Sequence, residues 1–278
     1  GASLGEYTSA AVSGVFEFEV MLGALDKQVE ILKASCPNGG MIAIVDDQGL
    51  FRETPLLYEN SELAARNYPS HFNVSTRTDA LKEIENFLKG KEIAHQTLPV
   101  PYGFHSSLID PAASRFMDFI RQEKQNFPQI PLISCAETEM IQSFKSQHWW
   151  DVARKPVDFQ KTIQKLERKH SAVYVDVGPS GTLANFVKYN LAKDSESEIF
   201  HILSPFGNDI KNLEKVIHHL AGKNGRHASP VKERSNLNKG KDNKMLTWVF
   251  PGQGSQKKGM GGSLFNDYAE LTGKADDI

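Results

Sequence analysis

Gly1-Ala2-Ser3-Leu4-Gly5 spells G-x-S-x-G and opens a chain of 278 residues. In this pattern a strand turns sharply into a helix and lifts a serine hydroxyl above the sheet. The glycines are required because a Cβ would block the close approach of strand to helix. Leu4, next after the serine, can offer its backbone N–H to a developing oxyanion. The same five letters also occur in ordinary Gly/Ser turns, so their meaning depends on what stands elsewhere in the chain. Two later stretches bear on it. Pro101-Tyr102-Gly103-Phe104-His105 supplies a histidine, and Phe250-Pro251-Gly252-Gln253-Gly254 supplies a second Gly/Gln turn after a strand.

Bulk composition narrows the class. A formal net charge of −2 gives no general argument for nucleic acid or an anionic membrane as partner. With 40% hydrophobic residues, the chain can build one or two domains with a sizeable core. The two cysteines, Cys36 and Cys135, make neither a disulfide framework nor a metal site, which fits a reducing, cytoplasmic setting. No apolar run reaches membrane-spanning length.

Periodicity places helices over 6–34, with a break at Ser13-Gly14. Between 41 and 100 the pattern reads as a small α+β unit: strands at 41–45, 72–75 and 93–100, and helices at 60–67 and 78–88. From 110 onward α/β patterning returns. Helices are expected at 111–127, 158–170 and 212–220, and strands at 130–135, 172–177 and 199–203. Gly178-Pro179-Ser180-Gly181 marks a sharp strand-to-helix turn, with a helix running on through Leu191. Residues 222–244 are rich in Lys, Arg, Asn, Gly and Ser and poor in apolar side chains, the composition of a flexible linker. A strand at 246–250 follows.

GASLGEYTSAAVSG (1–14), PYGFHSSLIDPA (101–112) and VDVGPSGTLANFVK (175–188) appear in an order and spacing that resemble the malonyl-CoA:acyl-carrier-protein transacylases. Among these they are most similar to the trans-acting acyltransferases of polyketide synthases. The resemblance covers about residues 1–205, and a second one begins near 245. It implies an α/β-hydrolase-like parallel-sheet core with an inserted ferredoxin-like subdomain at 41–100. The reading is therefore an acyltransferase-type domain over 1–221 without its N-terminal part, a linker over 222–244, and the start of a second acyltransferase domain over 245–278. A circular permutation is the rival reading of the last segment.

The resemblance also assigns roles. Ser3 and His105 form a catalytic Ser–His dyad, in which a backbone carbonyl near Val152 orients the imidazole in place of a carboxylate. Leu4 and Gln253 supply the oxyanion donors. Ala2, Gln28 and Asn67 lie at the substrate. An acyl carrier protein is the implied partner, and an acyl-CoA or phosphopantetheine-linked thioester the substrate, with no metal or redox cofactor. Two departures from the family pattern matter. Malonyl-using members have histidine where Ala2 stands, and a carboxylate-binding arginine where Gln28 stands.

A malonyl carboxylate buried without its partner costs about 3–5 kcal/mol, or roughly 200- to 5,000-fold. A neutral acyl chain beside an amide costs less. Gln28 therefore points to neutral acyl groups, and the resemblance to family members with glutamine at this position, which look like acyl hydrolases, implies an enzyme that clears acyl chains from carrier proteins. A malonyltransferase and a non-catalytic scaffold that docks carrier protein remain the alternatives.

Overall fold

The computed structural model describes residues 1–141, 143–224 and 244–252. These fall into two compact units, 1–162 with 252, and 163–224 with 244–251. The first unit runs α1 (Leu4–Val12), α2 (Phe18–Ser35), β1 (Gly39–Ile44), α3 (Gly49–Glu53), α4 (Pro55–Asn60), β2 (Ser61–Tyr68), β3 (His71–Arg77), α5 (Thr78–Gly90) and β4 (His95–Leu98). A 3-10 helix (Ser107–Ala112) leads into α6 (Ala113–Ile120), β5 (Ile133–Ser134), β6 (Glu139–Met140), α7 (Ser146–Arg154), β7 (Val157–Asp158) and the start of α8 (Phe159–Glu167). The second unit runs β8 (Ala172–Asp176), α9 (Thr182–Asn190), β9 (Glu198–His201), α10 (Asp209–Asn224) and β10 (Met245–Val249).

In the first unit a five-stranded sheet has the order β4-β1-β3-β2-β7. β1 is antiparallel to both β3 and β4, and β2 is antiparallel to β3. The β4-β1-β3-β2 order is the ferredoxin-like arrangement expected for 41–100. One inward face of the sheet carries Ile42, Ile44, Phe72 and Val74, and α5 lays Ala80, Ile84 and Leu88 into the same cluster. Those three positions recur at i, i+4 and i+8, which is why this stretch forms a helix that can be buried on one side.

Several boundaries differ from the sequence reading, each for a physical reason. Residues 61–68 form strand β2 where a helix was expected. Glu62, Leu63, Ala64, Ala65 and Arg66 favour helices, but pairing to β3 overrides that weak preference. The helix expected at 111–127 ends at Ile120, because the later backbone is committed elsewhere: Asn126 donates its N–H to Val15 O at 2.9 Å and Gln129 to Ser13 O at 2.7 Å. The strand expected at 130–135 shrinks to Ile133–Ser134, since the Cys135 N–H goes to the Glu6 carboxylate at 2.8 Å. Helix α7 has no counterpart in the sequence reading.

The large core of the first unit surrounds α1. Tyr7, Ala10, Val15, Phe16, Ile31, Leu32, Phe116 and Trp149 are all buried in one cluster. Trp149 is fully buried, its ring centroid 5.1 Å from that of Tyr7 and 4.8 Å from that of Phe16. Helix α1 is thus wedged between α2 and α7 and has little freedom to shift.

The second unit is a three-stranded parallel sheet in the order β10-β8-β9. β8 is buried along its whole length, as a central parallel strand must be. Asp176, at its C-terminal end, is fully buried and bonds the N–H groups of Gly178 (2.8 Å) and Ala184 (2.9 Å), which folds the turn into α9. Gly181 precedes α9 at φ 65°, a conformation that suits glycine. β10, the strand read as opening a second acyltransferase domain, lies beside β8 in this sheet. The expected linker falls largely outside the described residues, as does 253–278.

Candidate active site

Ser3 stands at φ 53° and ψ −125°, immediately before α1. A non-glycine residue pays roughly 1–3 kcal/mol for such a backbone, and surrounding structure must enforce it. Here the turn is closed by Gly5 N–H to Ala2 O at 2.9 Å and Glu6 N–H to Ser3 O at 2.8 Å. Gly1 explains its own identity: a Cβ there would lie 2.2 Å from Gly5 O. Leu4 is the first residue of α1, so its N–H has no helical carbonyl to bond and sits at the positive end of the helix dipole. Ala2 is buried in the same turn.

His105 is delivered by the loop after β4, also with a positive φ of 60°. Its loop is pinned on several sides. The His105 N–H donates to Ala153 O at 2.9 Å, Ser75 Oγ bonds Phe104 O, and Ser106 Oγ donates to Gly103 O at 2.6 Å. The ring then bridges two groups. Nε2 lies 2.8 Å from Ser3 Oγ, and Nδ1 lies 2.8 Å from Lys155 O. A carbonyl can only accept, so Nδ1 carries the ring hydrogen and Nε2 presents its lone pair to the serine. Burial pushes the imidazole pKa down to about 4, against a smaller upward pull from the Lys155 carbonyl. His105 is therefore neutral at physiological pH, the state a general base requires.

The orienting carbonyl belongs to Lys155, not to the expected Val152. Helix α7 runs through Arg154, so the Val152 carbonyl still points along the helix axis. Lys155 is the first extended residue, at ψ 150°, as the position before Pro156 favours. Its carbonyl turns out of the helix toward the ring.

Gln28 lies on α2 and is buried. Its Nε2 donates to the Tyr7 hydroxyl at 3.2 Å, and that hydroxyl donates to Trp149 O at 3.3 Å. Tyr7 lies on α1, four residues after Ser3, so the bond ties Gln28 of α2 to α1. Asn67 lies on β2, its Nδ2 2.8 Å from His71 Nδ1 and 3.1 Å from Asn73 Oδ1 on β3. Gln253 lies outside the described residues. Gly252, just before it, comes so close to the elbow that a Cβ would stand 2.9 Å from both Ala2 O and Ser3 Cβ.

Glu6 and α7 were not anticipated from the sequence. Glu6 is 1% exposed, and its Oε1 accepts from Cys135 N–H (2.8 Å), Ala136 N–H (3.2 Å) and Ser134 Oγ (3.1 Å). Burial raises its pKa, while His148 at 3.8 Å is among the groups that pull it back. The carboxylate thus ties α1 to the β5 region. The signal for Glu6 was its place directly after the elbow. The signal for α7 was the apolar spacing of Trp149, Val152 and Ala153. Cys36 and Cys135 are free thiols, and burial pushes Cys135 up to about 12. Among the described residues, no group of three or more His, Cys, Asp or Glu is gathered to hold a metal, and no helix is long and apolar enough to cross a membrane.

A strained serine, a neutral imidazole on its hydroxyl and a helix N–H with no helical carbonyl to bond can together form and break a serine ester. These are the parts of a serine-type acyl-transfer site. The family model for the acyl transferase domain matches residues 1–227, and the chain belongs to that family. The polyketide biosynthesis acyltransferase homolog BaeD of Bacillus velezensis is 41% identical over 226 residues, 81% of this chain and 70% of that protein. PksD of Bacillus subtilis is 43% identical over 216 residues, 78% of this chain and 67% of that protein. The fold is that of a malonyl CoA-acyl carrier protein transacylase from Clostridium perfringens, at 23% identity with a TM-score of 0.67 over 81% of this chain and 71% of that one. It is also that of an acyltransferase domain of the salinomycin polyketide synthase, at 23% identity with a TM-score of 0.69 over 82% of this chain and 54% of that one. The architecture is accordingly the α/β-hydrolase-like core with a ferredoxin-like subdomain.

Proposed function

We propose that this chain is an acyltransferase-family enzyme of polyketide biosynthesis that removes neutral acyl groups from acyl carrier protein by hydrolysis. The observation that carries the reading is Gln28. The family resemblance puts the carboxylate-binding arginine of malonyl-using members at this position on α2, and here the amide nitrogen donates to Tyr7. The names of BaeD and PksD support the biosynthetic setting.

Chemistry follows from the Ser3–His105 geometry. Ser3 Oγ attacks the thioester carbonyl carbon while His105 Nε2 takes its proton. The oxyanion is held by Leu4 N–H, at the start of α1. Collapse breaks the C–S bond, and His105 returns the proton to the departing thiolate. Water then repeats the sequence on the acyl-Ser3 ester: His105 takes a proton from the water, the acid forms, and Ser3 recovers its hydrogen. Lys155 O holds the ring in the tautomer both halves require and stabilises the imidazolium that forms between them. The phosphopantetheine arm of a carrier protein delivers the thioester, so no metal or redox cofactor enters. Residues 245–278 are read as the opening of a second acyltransferase domain.

Acetyl- and malonyl-carrier protein, each incubated with the full-length protein and with Ser3→Ala, separate the alternatives by intact mass. Ser3-dependent loss of acetyl with malonyl retained supports hydrolysis. Malonyl that reaches the enzyme and moves on to a bare carrier protein makes it a malonyltransferase. Unchanged masses leave a docking scaffold.

A further inference from the structure

Three consecutive residues at the C-terminal end of α7 reach the His105 loop. Ala153 O accepts the His105 N–H at 2.9 Å, and Lys155 O lies 2.8 Å from Nδ1. Both carbonyls stand at a helix end, where no following turn supplies them with donors. Between them is Arg154, whose guanidinium crosses to the same loop. Its Nε donates to Asp110 Oδ1 at 2.5 Å and one Nη to Asp110 Oδ2 at 3.4 Å. Its other Nη lies 3.9 Å from Glu62 Oε2 on β2. Glu62 in turn accepts the Ser107 N–H at 2.9 Å and the Ser107 hydroxyl. Ser107 is two residues beyond His105, and Asp110 lies in the 3-10 helix that begins there. The planar fork of an arginine meets a carboxylate in a fixed orientation, so the Asp110 contact sets direction as well as distance.

We propose that Arg154 is a positioning residue for acyl transfer: held by Asp110 and Glu62, it sets the end of α7 so that the Lys155 carbonyl stays on His105 Nδ1. This rests on the Ser3–His105 chemistry proposed above, whichever acyl group the site takes. The carbonyl decides the tautomer. Without it the ring hydrogen can move to Nε2, which then donates to Ser3 Oγ and cannot take its proton. The Arg154 side chain is 26% exposed, and ion pairs open to water add little to stability. Rate responds differently, because a displacement of about 1 Å at the reacting groups costs up to about 100-fold. Arg154 therefore counts for more in rate than in folding.

The test is single-turnover acylation of Ser3 from acetyl- and malonyl-carrier protein in the full-length protein. Arg154→Met keeps a stem and removes the charge. Its saturating rate is expected to fall about tenfold, with half-saturation within about twofold of wild type. The folding equilibrium constant from urea unfolding should change by less than about fivefold. Arg154→Lys, a point charge without the fork, should recover part of the rate. Ring-nitrogen NMR of histidine-labelled protein reads the tautomer, with the His105 signal assigned by its loss in His105→Gln. Wild type should show Nδ1–H, and Arg154→Met a mixture. Asp110→Asn weakens the fork from its other side and should also slow acylation, and adding Arg154→Met to it should have a smaller effect than Arg154→Met alone. A saturating rate within about twofold of wild type in Arg154→Met, an unmixed Nδ1–H tautomer there, or a loss confined to half-saturation overturns the proposal. Should Arg154→Met fail to fold, Asp110→Asn decides, since an unchanged rate there overturns it equally. Wild type acylated by neither group would overturn the function itself and this inference with it, whereas normal wild-type acylation with unchanged variants overturns this inference alone.

Discussion

Acid should weaken this protein through His105. The residue is 3% exposed, with a folded-state pKa of about 4 against 6.5 when free. Between those two values the unfolded chain binds the proton and the folded chain refuses it. The unfolded state therefore gains as pH falls, and stability drops across that window; above 6.5 neither state is protonated and nothing is lost. The full difference is about 3 kcal/mol by pH 4, of which about 2 kcal/mol is spent by pH 5. Glu6 and Asp176 act in the opposite sense, because burial raises both carboxyls and so favours the folded state in acid. A His105→Gln variant isolates the histidine. Urea unfolding of both proteins at steps from pH 7.5 to 5 should show wild type losing about 2 kcal/mol more than the variant. Activity should add a second signature: the acid limb of kcat/KM in wild type falls below pH 5, not near 6.5. Parallel stability loss in the two proteins, or an acid limb at the ordinary histidine value, would refute the buried neutral imidazole.

Glu6→Ala strands the Cys135 N–H in a dry setting, while the Ala136 N–H keeps Ser134 Oγ at 3.1 Å, and should cost about 2 kcal/mol in urea unfolding, whereas Glu6→Gln keeps the accepting oxygen and should cost about 1 kcal/mol. Asp176→Ala removes the acceptor for both Gly178 and Ala184, and a loss of about 3 kcal/mol is expected by the same measurement. Gln28→Arg places a cation where Gln28 now bonds Tyr7, and Ser3 acylation by malonyl relative to acetyl, followed by intact mass, should rise by about 100-fold or more.

The elbow was legible because it makes demands that only certain residues meet. Gly1 has no room for a Cβ, and the strained turn at Ser3 needs the residues around it. His105 was legible from its neighbours, and Ser106 in fact caps the following 3-10 helix by accepting from Leu108 N–H. The ferredoxin-like unit could be read from its order of elements, but not strand β2. Glu62, Ala64, Ala65 and Arg66 look helical by propensity, and only the partner strand β3 decides otherwise. The Lys155 carbonyl was misplaced for a different reason. A backbone acceptor leaves no side-chain signature, and its position depends on where α7 ends. The Tyr7–Gln28–Trp149 relay joins residues from three helices, and pairings of that kind have no periodicity to betray them.

The central claim is that Ser3 carries the acyl group. The full-length protein should be mixed briefly with acetyl-carrier protein, quenched in acid, digested and mapped by mass. An acetyl group on the peptide that contains Ser3, fading as free acetate appears and missing from both Ser3→Ala and His105→Ala, is the predicted result. Acetate released at the wild-type rate by Ser3→Ala, or an acetyl group found on another residue, would contradict the account.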